Sequence, residues 1–158
     1  MELGHDRGGA GWTAQGGWGG NTWTWNTTGL KGGVYGVGVW ARYAGSTAAY
    51  ESYWLGTYTL SVTPCSAATI TPSTGSPKAA GISIAFTAAA ARCPGAQYRF
   101  WVQAPGGSFV MKRDYGAGSW TWDTTSAGGP YRVGVWVRQN GSPASYDSYA
   151  IVTYWVTG

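Results

Sequence analysis

Three observations predict an all-β fold for this chain. Apolar and polar residues alternate with period two in its longer runs, as in Val37-Gly-Val-Trp-Ala-Arg42 and Val133-Gly-Val-Trp-Val-Arg138, the pattern of strands that bury one face. The composition holds 27 Gly, eleven Trp and eleven Tyr but only 10% charged residues, and such residues form strands and turns rather than helices. The chain also repeats itself. Trp23-Thr-Trp-Asn-Thr-Thr28, Val37–Arg42 and Tyr50-Glu-Ser-Tyr53 return as Trp120-Thr-Trp-Asp-Thr-Thr125, Val133–Arg138 and Tyr146-Asp-Ser-Tyr149. The offset is 97 positions at the first block and 96 at the other two, so a single residue separates the copies in register.

Taken in order, residues 1–10 are polar and Gly-rich and carry the only histidine, His5. They read as a flexible arm in which a lone His is solvated rather than a ligand. Residues 11–62 contain four strand-like runs, Gly11–Ala14, Asn21–Asn26, Val34–Tyr43 and Tyr53–Val62, divided by Gly-rich turns. Thr63–Pro77 is rich in Pro, Ser and Thr and holds one short run, Ala67–Thr71, with the prolines of an edge strand. Gly81–Ala88 follows, with Ile82, Ile84 and Phe86 on one face. Then come Gln97–Gln103, Ser108–Asp114, Ser119–Asp123, Pro130–Arg138 and Tyr149–Val156. Seven short strands with turn signals between them predict an immunoglobulin-like antiparallel β-sandwich over residues 63–158.

Overlaying the copies exposes an asymmetry. Gly11-Trp12 aligns with Ser108-Phe109 and Trp18 with Tyr115, while nothing aligns with the front strands or with Tyr98–Gln103. Residues 63–158 thus read as a complete module and residues 11–62 as the last four strands of another. A half sandwich leaves an apolar face and sheet edges open, which native proteins avoid. Its other half is expected either upstream in a longer natural chain, making this a fragment of a large multidomain surface protein, or from another molecule.

Cys65 precedes one predicted strand and Cys93 follows the next. Antiparallel neighbours would bring those ends together, which suits a disulfide closing a loop of about 28 residues and contributing roughly 3 kcal/mol. The alternative is two buried thiols. A disulfide implies an oxidising compartment, while neither Cys has a partner at metal-ligand spacing.

At these blocks the chain resembles a repeat module of bacterial secreted proteins. A Cys-flanked front half (Cys65, Gly81-Ile-Ser-Ile-Ala-Phe-Thr87, Cys93) leads to Tyr98-Arg-Phe-Trp-Val102, and the Trp-Thr-Trp and Val-Gly-Val-Trp blocks follow. The resemblance covers residues 65–158 fully and 11–62 in part. It implies immunoglobulin-like sandwiches in tandem within extracellular proteins, and carries no catalytic or binding motif.

Strand alternation assigns faces. Tyr98, Phe100 and Val102, then Val133, Val135 and Val137, then Val152, Tyr154 and Val156 should face the core. Arg99, Trp101, Gln103, Arg132, Trp136, Arg138 and Trp155 should then form an outer row, with Gly134 leaving a gap beside Trp136. Trp40 and Arg42 hold the same outer positions in the first copy. Each Arg could stack on a neighbouring Trp and merely cover the sheet. Because Trp, Tyr and Arg dominate interface hot spots, a contact face is favoured, for protein or for sugar. Trp120 and Trp122, like Trp23 and Trp25, are expected in core or inter-module packing.

Asn26-Thr-Thr28 and Asn140-Gly-Ser142 match glycan acceptors. Asp123 stands where the first copy has Asn26, so an Asx-type turn accounts for both copies and a glycan does not. Asn140-Gly141 is first a hairpin turn.

Glu51 and Asp147 are equivalent, each within Tyr-[Glu/Asp]-Ser-Tyr. That repetition speaks for a turn bond rather than for paired catalytic carboxylates. No Ser-His-Asp or Cys-His set, phosphate loop or calcium loop can be assembled. Catalytic, cofactor and metal residues are therefore expected to be none. The net charge of +4 is dispersed along the chain, so nucleic acid is not an expected partner. No apolar run is long enough to cross a membrane, and the N-terminus does not read as a signal peptide. The expected function is a non-catalytic structural protein, extracellular or at the bacterial cell surface, that associates with its own copies into an oligomer, polymer or fibre. The alternative is a carbohydrate-binding or adhesin module that uses exposed Trp faces for a glycan.

Overall fold

The structure, a computed structural model, describes residues 1–7, 11–125 and 128–158. All regular structure in it is β-strand. The chain divides into two compact units, Met1–Val62 and Thr63–Gly158, at the boundary where the Pro/Ser/Thr stretch begins.

Unit 1 is one four-stranded antiparallel sheet. Its strands are β1 (Glu2–Arg7), β2 (Thr13–Ala14), β3 (Gly33–Ala41) and β4 (Ser52–Leu60), in the order β2-β1-β3-β4. The N-terminal residues, expected as a flexible arm, are instead a central strand: β1 pairs with β3 from Glu2↔Trp40 to Arg7↔Tyr35. Residues 8–10 of that arm lie outside the described residues. The tall apolar strand β3 needs a neighbour on each side for its backbone groups, and β1 supplies one although its own sequence alternates weakly. The run expected over Gly11–Ala14 shrinks to the two residues of β2. The run expected over Asn21–Asn26 forms no strand; its Asn26 Oδ1 instead accepts the Thr28 N–H at 3.0 Å, an Asx turn.

Unit 2 has two main antiparallel sheets, as a sandwich requires. One is three-stranded, in the order β10 (Ser119–Asp123), β7 (Ser83–Ala91), β5 (Ser66–Pro72). The other is four-stranded, in the order β12 (Ser148–Tyr154), β11 (Tyr131–Gln139), β8 (Ala96–Gln103), β9 (Phe109–Gly116). The sequence pattern does not anticipate a small parallel pair, β6 (Lys78–Ala79) with β13 (Val156–Thr157). Facing residues of the two sheets make the core: Ile84, Phe86 and Ala88 from β7 meet Phe100, Val102, Val133, Val135, Val137 and Tyr154, with Trp122 between. The core faces expected from alternation are thus the buried ones; Tyr98 and Val152 pack at its margin. Ile82, expected beside Ile84, lies before β7 and is exposed, its N–H bonded to the Thr124 hydroxyl at 3.2 Å. Cys65 and Cys93 are bonded, with Cα atoms 4.7 Å apart, where β5 and β7 begin and end as a pair (Ser66↔Ala91).

The registers make the two four-stranded sheets equivalent. In unit 2, β11 pairs with β8 so that Trp136 faces Arg99 and Val135 faces Phe100. In unit 1, Trp40 faces Glu2 and Val39 faces Leu3. β1 therefore occupies the place of β8, and the repeat extends to Met1, further than the sequence motifs indicate. What unit 1 lacks is the sheet that covers this one: β5 and β7 have no counterpart among its described residues, and the counterpart of β10, residues 22–26, has no strand to pair with.

Candidate functional site

The outer face of β8 and β11 gathers most of the expected row. Trp101 and Trp136 lie with ring centroids 4.6 Å apart, and Trp136 continues onto Tyr146 at 4.7 Å. The arginines do stack on rings, but chiefly on residues outside the row. Arg99 lies 4.3 Å from the Tyr115 ring and Arg138 3.8 Å from the same ring, while Arg132 lies 5.4 Å from Phe109. Arg99 also pairs with Asp114 at 2.6 Å, Arg132 donates to Gln103 Oε1 at 3.2 Å, and Arg138 donates to Gln97 Oε1 at 3.2 Å. The Asp114 carboxyl is held below its ordinary range, first by the Tyr115 N–H and then by Arg99. Burial raises the Tyr115 phenol against the opposing pull of Arg99 and Arg138. Its hydroxyl donates to the Ser145 carbonyl and clamps the hairpin before β12.

Trp155 is a correction. It falls in the break between β12 and β13, where its N–H donates to Ser76 Oγ at 2.7 Å. Its alternation parity is right, but the sheet ends one residue earlier, so it stands outside the row. Ile151 lies on this face, as alternation along β12 expects, while Phe109, Tyr115 and Tyr146 belong to it without having been expected there. The one signal for Tyr115 was its alignment with Trp18: in unit 1, Arg42 stacks on Trp18 at 4.1 Å just as Arg138 stacks on Tyr115.

The gap at Gly134 is present. A hollow of about 150 Å³ lies over it, walled by Trp101, Phe109, Trp136, Ala150 and Ile151. A Cβ at Gly134 would meet its nearest neighbour, Ile151, at 3.5 Å. The Trp101 Nε1–H beside it is buried and has no hydrogen-bond partner among the described residues. Unit 1 closes the same spot. Gly4 stands where unit 2 has Trp101, and Trp40 leans over it. A Cβ at Gly38 would meet Leu55 at 2.8 Å, Trp40 at 2.9 Å and Trp12 at 3.0 Å. Trp12 and Trp40 pack edge to face at 5.1 Å.

Glu51 and Asp147 do make matching turn bonds. Glu51 accepts the Tyr43 N–H at 2.9 Å and the Ser46 hydroxyl at 2.8 Å. Asp147 accepts the Gln139 N–H at 2.7 Å and the Ser142 hydroxyl at 2.6 Å, and adds the Cys65 N–H at 3.0 Å. Among the described residues no group of His, Cys, Asp and Glu could hold a metal ion, and no helix is long and apolar enough to cross a membrane.

No family model, curated protein or solved structure matches this chain. Its chemistry is therefore read from its own two copies.

The inner face of unit 1 is the second candidate surface. Tyr58 and Tyr154 are equivalent positions, yet Tyr154 is 0% exposed and Tyr58 57%. Trp54, facing Val39 across β3 and β4, is 61% exposed. Trp25 covers part of this face, its ring 5.3 Å from Tyr35, 5.8 Å from Tyr58 and 5.2 Å from His5. Trp23 and Trp25 stack at 6.0 Å and 21°, which puts both rings on one side of the segment, as strand alternation would.

Proposed function

We propose that the chain is a non-catalytic extracellular structural protein built of immunoglobulin-like modules, which associates with its own copies by having unit 1 completed from outside and through the Trp/Arg face of unit 2. The observation that carries this reading is the contrast between Tyr58 and Tyr154: one residue type at one register position is covered in one copy and open in the other. Exposed contiguous apolar faces mark contact sites, and unpaired strand segments recruit strands. The Cys65–Cys93 bridge supports an oxidising, extracellular setting. Contacts that run head to tail without closing would build fibres. Sedimentation at micromolar concentration tests the reading: an assembly larger than one chain is expected, and a monomer at every concentration overturns it.

A second reading is favoured by one observation, the hollow over Gly134 with its unpartnered indole N–H. It suits a sugar ring stacked on Trp101 or Trp136 with a hydroxyl accepting from Trp101. Polysaccharide titration followed by Trp fluorescence tests it: quenching that Gly134→Leu abolishes is expected, and no response to any glycan rejects it.

A further inference from the structure

We infer that the open inner face of unit 1 is closed by the same face of a second copy, giving a two-fold, two-layered sandwich made of two half modules; this rests on the self-association reading above and names its contact.

The internal repeat shows what such a face requires. In unit 2 the sheet is covered by β7 and β5, whose Ile84, Phe86 and Ala88 point onto it. Each chain carries only one Cys65–Cys93 hairpin and spends it in its own unit 2. A swap of that hairpin between copies would open one face to close another and gain nothing. A second copy still offers an apolar, flat sheet of the same kind, namely its own unit 1 face.

That sheet suits itself. Leu3, Val37, Val39, Trp54 and Tyr58 lie at matching register positions on the face and carry no charge. The cation of β1 on this face, Arg7, sits at its end opposite Tyr35, where it donates to the Gly32 carbonyl at 3.1 Å and lies 5.8 Å from the Tyr35 ring, so the middle of the face is uncharged. Packed sheets lie about 10 Å apart with side chains interdigitating. Residues 22–27, whose Trp25 already rests on part of the face, lie in the layer that the partner's sheet would enter. They form no strand of their own and would lie beside the outer edge of the partner's β4, which has one neighbour in the sheet order. The strand lengths give a flat face on the order of 400 Å² per copy, counting about 3.3 Å per residue and about 4.8 Å per strand. At about 800 Å² for the two copies together the contact falls below the roughly 1,200–2,000 Å² of stable interfaces, in the range of weak, concentration-dependent association. The contact is isologous and closes on itself, so alone it makes dimers; growth beyond two copies must use another surface.

The experiment is sedimentation equilibrium of the full chain from about one to a few hundred micromolar, the range suited to so small an interface. It compares wild type with Trp54→Lys on the inner face of β4 and Tyr53→Lys on its outer face. The inference expects a wild-type dimer, at least a tenfold weaker one for Trp54→Lys, and no change for Tyr53→Lys. A wild-type assembly that Trp54→Lys leaves intact, or that Tyr53→Lys breaks instead, overturns the inference while self-association stands. A wild-type monomer throughout overturns both. Hydroxyl-radical footprinting of the wild type needs no variant. Trp54 should lose reactivity on concentration while Trp155 does not, and equal behaviour of the two rejects the contact.

Discussion

Unit 1 and unit 2 carry one sheet twice, and they differ in what lies over it. In unit 2 a three-stranded sheet covers the inner face and drives Val133, Val135, Val137 and Tyr154 to full burial. In unit 1 the equivalent Val37 and Val39 stay half-buried and Tyr58 is exposed. The outer faces diverge in the opposite sense: unit 1 fills its glycine gap with Trp12, Trp40 and Leu55, whereas unit 2 leaves a hollow between two tilted indoles. The comparison teaches that register and alternation decide which residues share a face, while burial is decided by the partner layer.

The largest expected break in that comparison is a matched pair of truncations. Tyr154→Ala should cost unit 2 about 3–5 kcal/mol, as large-to-small core changes do. The equivalent Tyr58→Ala should cost the dilute protein less than about 1 kcal/mol, as for an exposed site. Urea denaturation followed in the two variants checks this, and equal losses would mean the open face is covered after all. Next, Cys65→Ser with Cys93→Ser should destabilise unit 2 by about 3 kcal/mol through a freed loop. Unit 1, which has no cysteine, should keep its own denaturation profile.

Asp147 and Glu51 sharpen the comparison further. Burial alone would raise the Asp147 carboxyl; the bonds from Ser142, Gln139 and Cys65, with Arg138 nearby, outweigh it and hold the pKa below its ordinary value. Glu51 is lowered by the Tyr43 N–H and the Ser46 hydroxyl. A carboxyl whose folded pKa is depressed contributes stability that is present above its unfolded pKa and lost as pH falls through the folded one. Both units should therefore weaken in acid below about pH 4. Asp147→Ala should remove about 1–3 kcal/mol from unit 2 at neutral pH, since it strands the Cys65 and Gln139 N–H groups, and Glu51→Ala should have the smaller effect on unit 1. Thermal unfolding between pH 2 and pH 7 reads both, the Asp147→Ala variant sloping less steeply than wild type. The smallest expected effect is that of Arg138→Ala or Arg42→Ala, about 0.5–1 kcal/mol each for an exposed ring contact. A double-mutant cycle of Arg138 with Tyr115 is the measurement, and zero coupling would reduce the stacking to coincidence.

The sequence predicted the faces of β8, β11 and β12 well, because Phe100, Val102 and the valines alternate with residues that could not be buried. It missed β1, since Glu-Leu-Gly-His-Asp-Arg has one strong apolar residue; the strand is imposed by β3, whose edge it satisfies. It overstated Asn21–Asn26 for the converse reason. Trp23 and Trp25 alternate as a strand should, but a ladder needs a neighbour and the described residues of unit 1 contain none for them. For the outer row, parity placed Trp101 and Trp136 correctly and misplaced Trp155, because alternation continues past the residue where a sheet ends. Phe109 and Tyr115 reach the row from the edge strand β9, and cross-strand reach of that kind leaves no mark on local periodicity.

The short parallel pair of β6 and β13 has a mechanical meaning. After Tyr154 the chain leaves one sheet, and within two residues Val156 and Thr157 run beside Lys78 and Ala79 in the same direction. The Lys78 and Ala80 N–H groups donate to Trp155 and Thr157 at 3.1 and 2.8 Å, and Gly128 and Gly129 hold Val156 from the other side. A tug on Gly158 along the strand loads these bonds together, as shear, instead of peeling them one after another.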